Sequence, residues 1–275
     1  MSTSIGAQSF ATPRRARLAR YGLWQLRDYF MNRGSLTFAL CVALGYGQVF
    51  PMTQTIDYRV NSMTATALAR YGGSRDAAKA ALRHEAVQGF VTSFTGVIVF
   101  IGALLAIHGI AAGDRKSGSY RFLFAKPLSP FRFYAQEFLV HLAGFIVVFT
   151  ALGLLFGTLV APVLSVKLLL AAALMFFFYA SIGFVFSAAT PADWLPLIAV
   201  SLLSQLIWDN YADSPRALAK LRYLLPPLTR TGEFYGTFLT GSEVPWHLTW
   251  WFAGYGAACF ALGLWVLRRR RLAVS

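Results

Sequence analysis

The chain has 275 residues, of which 57% are hydrophobic and 13% are charged, and its formal net charge is +14. Soluble domains carry about 25% charged residues, so the composition excludes a soluble protein and predicts an all-α polytopic membrane protein. We expect the excess of Lys and Arg to orient the membrane spans, because no basic face free of membrane is long enough to follow a nucleic-acid backbone.

The N-terminal residues 13–33 are basic, with aromatic residues interleaved. On a helical wheel Leu23, Leu26 and Phe30 gather on one side, and arginines fall roughly opposite them. This pattern predicts a helix that lies in the membrane interface before the first span. The alternative is a frayed basic tail that only obeys the positive-inside rule. No apolar stretch with a cleavage site precedes the first span, so we expect no removable signal peptide.

Six apolar stretches are predicted to cross the membrane, since most of them approach the length of about 20 residues that a hydrocarbon core requires. The fifth is the weakest, because its 15 residues reach only about 22 Å against a core of about 30 Å. The predicted spans are residues 35–51, 89–112, 138–161, 168–189, 194–208 and 246–267.

The two cysteines lie inside apolar runs and make neither a disulfide framework nor a metal pair.

Two connections between spans are long enough to form structure of their own. In residues 52–88, Gly72-Gly73 followed by Ser74 predicts the end of one helix and the cap of the next, and therefore a small helical hairpin outside the membrane. Residues 209–245 contain two apolar pieces, 223–225 and 234–239, on either side of a proline pair. A soluble loop would not need such pieces.

The distribution of Lys and Arg predicts the orientation of the chain. With six spans both ends lie on one side of the membrane, and 15 of the 25 Lys and Arg residues lie on that side. The positive-inside rule therefore places both termini and the stretch 113–136 in the cytoplasm. We expect an integral protein of a bacterial plasma (inner) membrane.

The stretch 113–136, GDRKSGSYRFLFAKPLSPFRFYAQ, is basic, aromatic and broken by prolines. Residues 119–125 can form about two helical turns, which the prolines stop, and residues 131–137 start a helix that leads into the third span. Exposed aromatic and basic side chains on a short, rigidly held element suit a docking surface for a partner protein. The alternative is an amphipathic loop that lies on anionic headgroups. Residues that carry these properties are Tyr120, Arg121, Phe122, Phe124 and Lys126.

This stretch resembles the intracellular loop of type-2 ABC exporter permeases. In that family an acidic-Arg-acidic-x-Gly-Thr pattern leads through Leu and Pro-x-Ser to a helix that ends near a Gly-Lys pair. The chain departs from the pattern at Lys116, Ser119 and Gln136. The six-span plan, the basic helix before the first span and the long connection between the last two spans also resemble the family. The matching residues are Asp114, Arg115, Gly118, Leu123, Pro127 and Ser129.

The resemblance implies a permease subunit that forms a substrate pathway as a dimer with a second copy or a paralogue. The stretch 113–136 would be the coupling helix that seats in a groove of an ABC-type ATPase, present in two copies. Apolar pieces after Trp208 would be re-entrant helices. Residues 113–119 lack the order of a phosphate-binding loop, so ATP and Mg²⁺ are expected on the partner and no cofactor or enzymatic activity is expected in this chain.

Three ionisable residues are predicted near the cytoplasmic rim of the membrane. Glu137 and His141 share one helix face at i, i+4, and His108 is expected at a similar depth at the end of the second span. They could anchor the rim or serve a proton or substrate role, and their number and spacing make a poor metal site. An alternative function is a membrane-embedded enzyme that acts on a lipid through these residues. A scaffold without transport activity is a third possibility.

Overall fold

The structure is a computed structural model that describes residues 14–108, 110–117, 129–190, 195–211, 225, 230–240 and 244–269. Every regular element in these ranges is a helix. In chain order they are α1 (Arg14–Asp28), a π-helical segment (Tyr29–Gly34), α2 (Ser35–Asn61), α3 (Ala65–Ala69), α4 (Arg75–Ile107), α5 (Ala112–Ser117), α6 (Pro130–Leu159), α7 (Val166–Ala189), α8 (Leu195–Tyr211), α9 (Thr231–Thr240) and α10 (Trp246–Arg269).

Five helical stretches in the described part of the chain are long and apolar enough to cross a membrane, which indicates an integral membrane protein. They contain the predicted first, second, fourth and sixth spans and all but the last two residues of the predicted third span. The predicted fifth span falls on α8, whose apolar part, Leu195–Ile207, is shorter than the other five. A fifth crossing at α8 therefore stays a prediction. The five stretches are Arg20–Asn61, Arg75–Asp114, Pro130–Leu159, Val166–Ala189 and Trp246–Arg269.

The N-terminal helix and the first span are continuous rather than two separate elements. The backbone is right-handed helical at Asp28, Gly34 and Ser35, the residues that flank the π-helical segment. Neither proline nor a positive backbone angle interrupts it there, so the helix has no reason to stop at the expected boundary. Leu23 and Trp24 are exposed on this helix.

The two long helices α2 and α4 extend beyond their apolar parts and form the predicted hairpin themselves. Gly72 and Gly73 both have φ of +75°, and the hydroxyl of Ser74 accepts a hydrogen bond from a backbone N–H in the first turn of α4. The predicted helix end and cap are thus confirmed. An ion pair of 2.6 Å between Lys79 Nζ and Asp57 Oδ1 joins the two helices near this end.

Helix α7 lies at the centre of the fold and contacts α4, α6, α8, α9 and α10. Glycines allow the close approach of its neighbours. A Cβ atom added at Gly263 of α10 would lie 2.6 Å from Phe184 Cδ1, and one added at Gly183 would lie 2.4 Å from Ile107 Cδ1. Small residues at helix contacts in membranes permit such tight van der Waals packing, which replaces the hydrophobic driving force that lipid removes.

The second apolar piece of the connection 209–245 forms α9, which packs into the bundle. Phe234, Tyr235 and Phe238 are buried in the same core as α7 residues. This packing explains why the connection carries apolar residues that a soluble loop would not need. Of the first piece, 223–225, only Leu225 lies within the described residues.

Candidate functional site

The structure describes the two ends of the stretch 113–136, and residues 118–128 lie outside the described residues. Of the predicted site residues, Asp114 is described with its side chain, and Ser129 immediately precedes Pro130 at the start of α6. Helix α6 starts where the sequence predicts and leads without a break into the third span. The predicted positions outside the description are the side chain of Arg115 and all of Gly118, Tyr120, Arg121, Phe122, Phe124, Lys126 and Pro127.

The N-terminal end of this stretch is fixed to the bundle at two points. The hydroxyl oxygen of Ser187 on α7 accepts hydrogen bonds from the backbone N–H groups of Ala111 and Ala112, at 3.3 and 3.2 Å. The hydroxyl of Tyr134 donates to Asp114 Oδ2 at 3.1 Å. These bonds hold α5 against α7 and against the first turn of α6, so both ends of the stretch share one base. We call this base the loop anchor.

A second group of polar side chains lies between the N-terminal helix, α4 and α6. Arg33 Nη1 donates to the backbone oxygen of Ala106 at 3.2 Å and lies 2.8 Å from Nε2 of His141. The same nitrogen lies 4.0 Å from Oε1 of Glu137. One guanidinium thus bridges three helical elements. We call Arg33, Glu137 and His141 the arginine cluster.

The geometry of the arginine cluster determines how its groups share protons. A guanidinium has only donors, so the nitrogen of His141 that it contacts must accept with its lone pair, and the ring is neutral. His141 is only 2% exposed. Among the described residues, Oε2 of Glu137 has no hydrogen-bond partner. The cluster therefore joins helices by a charged donor and leaves one buried oxygen of the Glu137 carboxyl group without a hydrogen bond.

The cluster continues a buried polar stripe along the N-terminal helix, formed by Gln25, Tyr29, Arg33 and Thr37. Gln25, Tyr29 and Thr37 are each at most 4% exposed. In an α-helix, residues four positions apart differ by about 40° in their direction around the helix axis. Such a stripe would therefore turn away from a single neighbouring helix. The π-helical segment has more residues per turn and offsets part of this drift. It keeps the stripe directed at α6, which α1 and the π-helical segment both contact.

The predicted trio of ionisable residues is brought together only in part. Glu137 and His141 share one face of α6 as expected, and both meet Arg33. His108 is exposed at the C-terminal cap of α4, two residues beyond the carbonyl of Ala106. No three His, Cys, Asp or Glu side chains gather into a possible metal site within the described part of the chain.

Sequence reasoning missed Arg33, because it was counted among the basic residues that set orientation. Its position at i+4 from Tyr29 and i−4 from Thr37 was a signal for a buried helix face, since all three share one side of the helix. A cation that directly precedes an apolar span was the second available signal.

Comparisons with protein-family models, with curated proteins and with solved structures find no match for this chain.

Proposed function

We propose that the protein is the membrane-spanning subunit of an ATP-driven exporter of the type-2 ABC class. The stretch 113–136 would dock on a separate ATPase subunit, and the spans would form the substrate pathway together with a second copy or a paralogue. The observation that supports this proposal most is the loop anchor. A docking element can transmit force only if its base is tied to the helices that must move, and Ser187, Asp114 and Tyr134 provide such ties.

The mechanical path of the proposal follows from these contacts. Displacement of the stretch 113–136 would act on α5, and through Ser187 and Tyr134 on α7 and α6. Because α7 contacts most of the other long helices, a shift there would alter the packing of the whole bundle. ATP and Mg²⁺ would bind to the ATPase subunits, and this chain would supply no catalytic residue.

The arginine cluster would couple the N-terminal helix to the same movement. Arg33 ties this helix to α4 and α6, whose ends flank the proposed docking stretch. The burial of His141 and its contact with Arg33 favour an anchoring role over the lipid-acting alternative, because a catalytic histidine needs access to its substrate. In this arrangement α8 would be the fifth crossing and α9 a re-entrant helix near the far side of the membrane.

Co-purification tests the docking assignment. The full-length chain is extracted from its native membrane, and the recovered ATPase with a Walker-type phosphate loop is quantified. The double change Arg121→Glu and Phe122→Ala is expected to reduce recovery at least tenfold, because it removes one aromatic anchor and reverses one charge. Arg70→Glu is the matched control. This exposed arginine lies in the connection between α2 and α4, at the end of α4 that is far from the stretch 113–136. Equal recovery from both variants would contradict the docking assignment.

Two further results would favour the alternatives. If His141→Ala abolished an enzymatic activity on lipid and left ATPase recovery unchanged, the lipid-acting enzyme would be preferred. If substrate efflux were unaltered after deletion of the protein, a scaffold role would be preferred.

A further inference from the structure

An apolar groove of about 340 Å³ lies between α2, α4 and α6. Its deep end is lined by the buried residues Cys41 and Phe149, and its outer end by the exposed residues Phe50 and Leu159. Stacked rings join α4 to α6 along one wall, with Phe90 and Phe156 at a centroid distance of 5.1 Å. The groove thus has a fixed apolar wall and an open rim.

The dimensions of the groove fit one hydrocarbon chain. From Cys41 to Thr53 it follows α2 for about 18 Å, which is close to one leaflet of about 15 Å, half of the hydrocarbon core. The side chains along this length are almost all apolar, as contact with a hydrocarbon chain requires.

The outer end of the groove carries cations. Arg83 Nη2 donates to the backbone oxygen of Val160, a residue that lines the groove, at 2.8 Å. This bond uses one of the five N–H donors of the guanidinium. Lys167 is exposed beside Leu168, which also lines the groove. Of the acids nearby, Asp57 is paired with Lys79. A guanidinium at the end of an apolar groove matches a lipid phosphate above an acyl chain.

We propose that this groove binds one acyl chain of an anionic membrane phospholipid, with its phosphate at Arg83. The lipid fills the space between α2 and α6 that no side chain fills, and its headgroup lies beside the C-terminal end of α6, where Arg83 contacts Val160. The site lies at the opposite end of α6 from the loop anchor. It does not depend on the proposed transport function.

Photochemical labelling tests this site on the full-length protein, with any subunit that co-purifies, in phosphatidylcholine vesicles. A trace of phosphatidylglycerol with a photoreactive group midway along one acyl chain serves as the probe, and the same tail on phosphatidylcholine is the comparison. Labelling by the anionic probe is expected to be at least about fivefold higher at Phe94 and Phe156 than at the exposed residues Leu170 and Leu202. Equal labelling of all four would mean ordinary lipid contact and would overturn the proposal.

Two matched pairs of variants separate the tail from the headgroup. Val49→Trp fills the groove and is expected to lower labelling of the groove residues by both probes about fivefold. Its control, Leu170→Trp, lies on a surface outside the groove and is expected to leave this labelling unchanged.

Arg83→Gln is expected to lower labelling by the anionic probe about fivefold, to the level of the phosphatidylcholine probe. Its control, Arg75→Gln, lies two turns away on α4 and is expected to leave labelling by the anionic probe unchanged. Crosslinks between groove residues and a second copy of the chain would contradict the lipid assignment, as would unchanged labelling of Val49→Trp.

Discussion

Replacing Arg33 with alanine removes a side chain that joins the N-terminal helix to both α4 and α6. The variant leaves the carbonyl of Ala106 and the ring nitrogen of His141 without their donor, and it leaves Glu137 without its nearest cation. Losing a hydrogen bond from a charged donor costs about 1.5 to 3 kcal/mol. The 2.8 Å contact with His141 and the 3.2 Å bond to Ala106 are lost together, which places the cost at the upper end, about 3 kcal/mol.

Thermal unfolding in detergent measures this loss. At about 2 to 4 °C per kcal/mol, a value for soluble domains of comparable size, the Tm of Arg33→Ala is expected to fall by about 6 to 12 °C. Arg27→Ala, an exposed position on the same helix, is the matched control and is expected to lie within about 1 °C of the wild type. A Tm for Arg33→Ala as high as that of the control would mean that the contacts of Arg33 do not stabilise the fold.

A second pair of variants isolates the contribution of Glu137. Arg33→Met keeps most of the side-chain volume, and adding Glu137→Gln removes the acid without changing that volume. The double variant is expected to be more stable than Arg33→Met alone, because it leaves no acid buried without its cation. If the two variants were equally stable, the lost contacts with Ala106 and His141 would account for the whole effect of Arg33.

Three further predictions concern the loop anchor, the core and the orientation. Ser187→Ala removes the acceptor of two buried amides and is expected to lower the free energy of unfolding by about 1 to 3 kcal/mol. The same change is expected to speed proteolysis within residues 113–136, and Ser201→Ala is the control. Gly263→Ala is expected to lower the Tm, because the added Cβ overlaps the ring of Phe184. Gly254→Ala on the same helix is the control, since nothing lies within 4 Å of its added Cβ, and its Tm is expected to be unchanged or higher. Equal Tm values for the two variants would contradict the packing of α10 on α7. A cysteine at Lys126 is expected to react with a membrane-impermeant reagent only in inside-out vesicles, and labelling of intact cells would invert the proposed topology.

Local sequence signals were sufficient for the helices and for one turn. Five spans were predictable because long apolar stretches have few alternatives in a membrane, where every backbone group must be satisfied internally. The turn before α4 was predictable because Gly72 and Gly73 need positive φ angles and Ser74 provides a capping oxygen. In each case the physical cause acts over a few neighbouring residues.

Features that depend on contacts between distant segments were not predictable from the sequence. The arginine cluster depends on the π-helical segment Tyr29–Gly34, which directs Arg33 at His141, 108 residues away on α6. Sequence polarity predicted a separate hairpin in residues 52–88, whereas α2 and α4 themselves continue into this segment, since polarity alone does not show where a helix ends. The loop anchor requires Ser187, which lies 75 residues from Ala112 and gives no local signal.

Photocrosslinking from position 122 tests whether the stretch 113–136 docks on an ATPase, because it distinguishes a docked protein from a lipid surface. Phe122 is replaced by a photoreactive phenylalanine analogue in the native membrane, and the adducts are identified by mass. We expect a crosslink to an ATPase with a Walker-type phosphate loop, and we expect this crosslink to be lost when Arg121→Glu is added. Adducts with lipid alone would mean that the stretch 113–136 lies on headgroups, and they would contradict the proposed coupling to an ATPase.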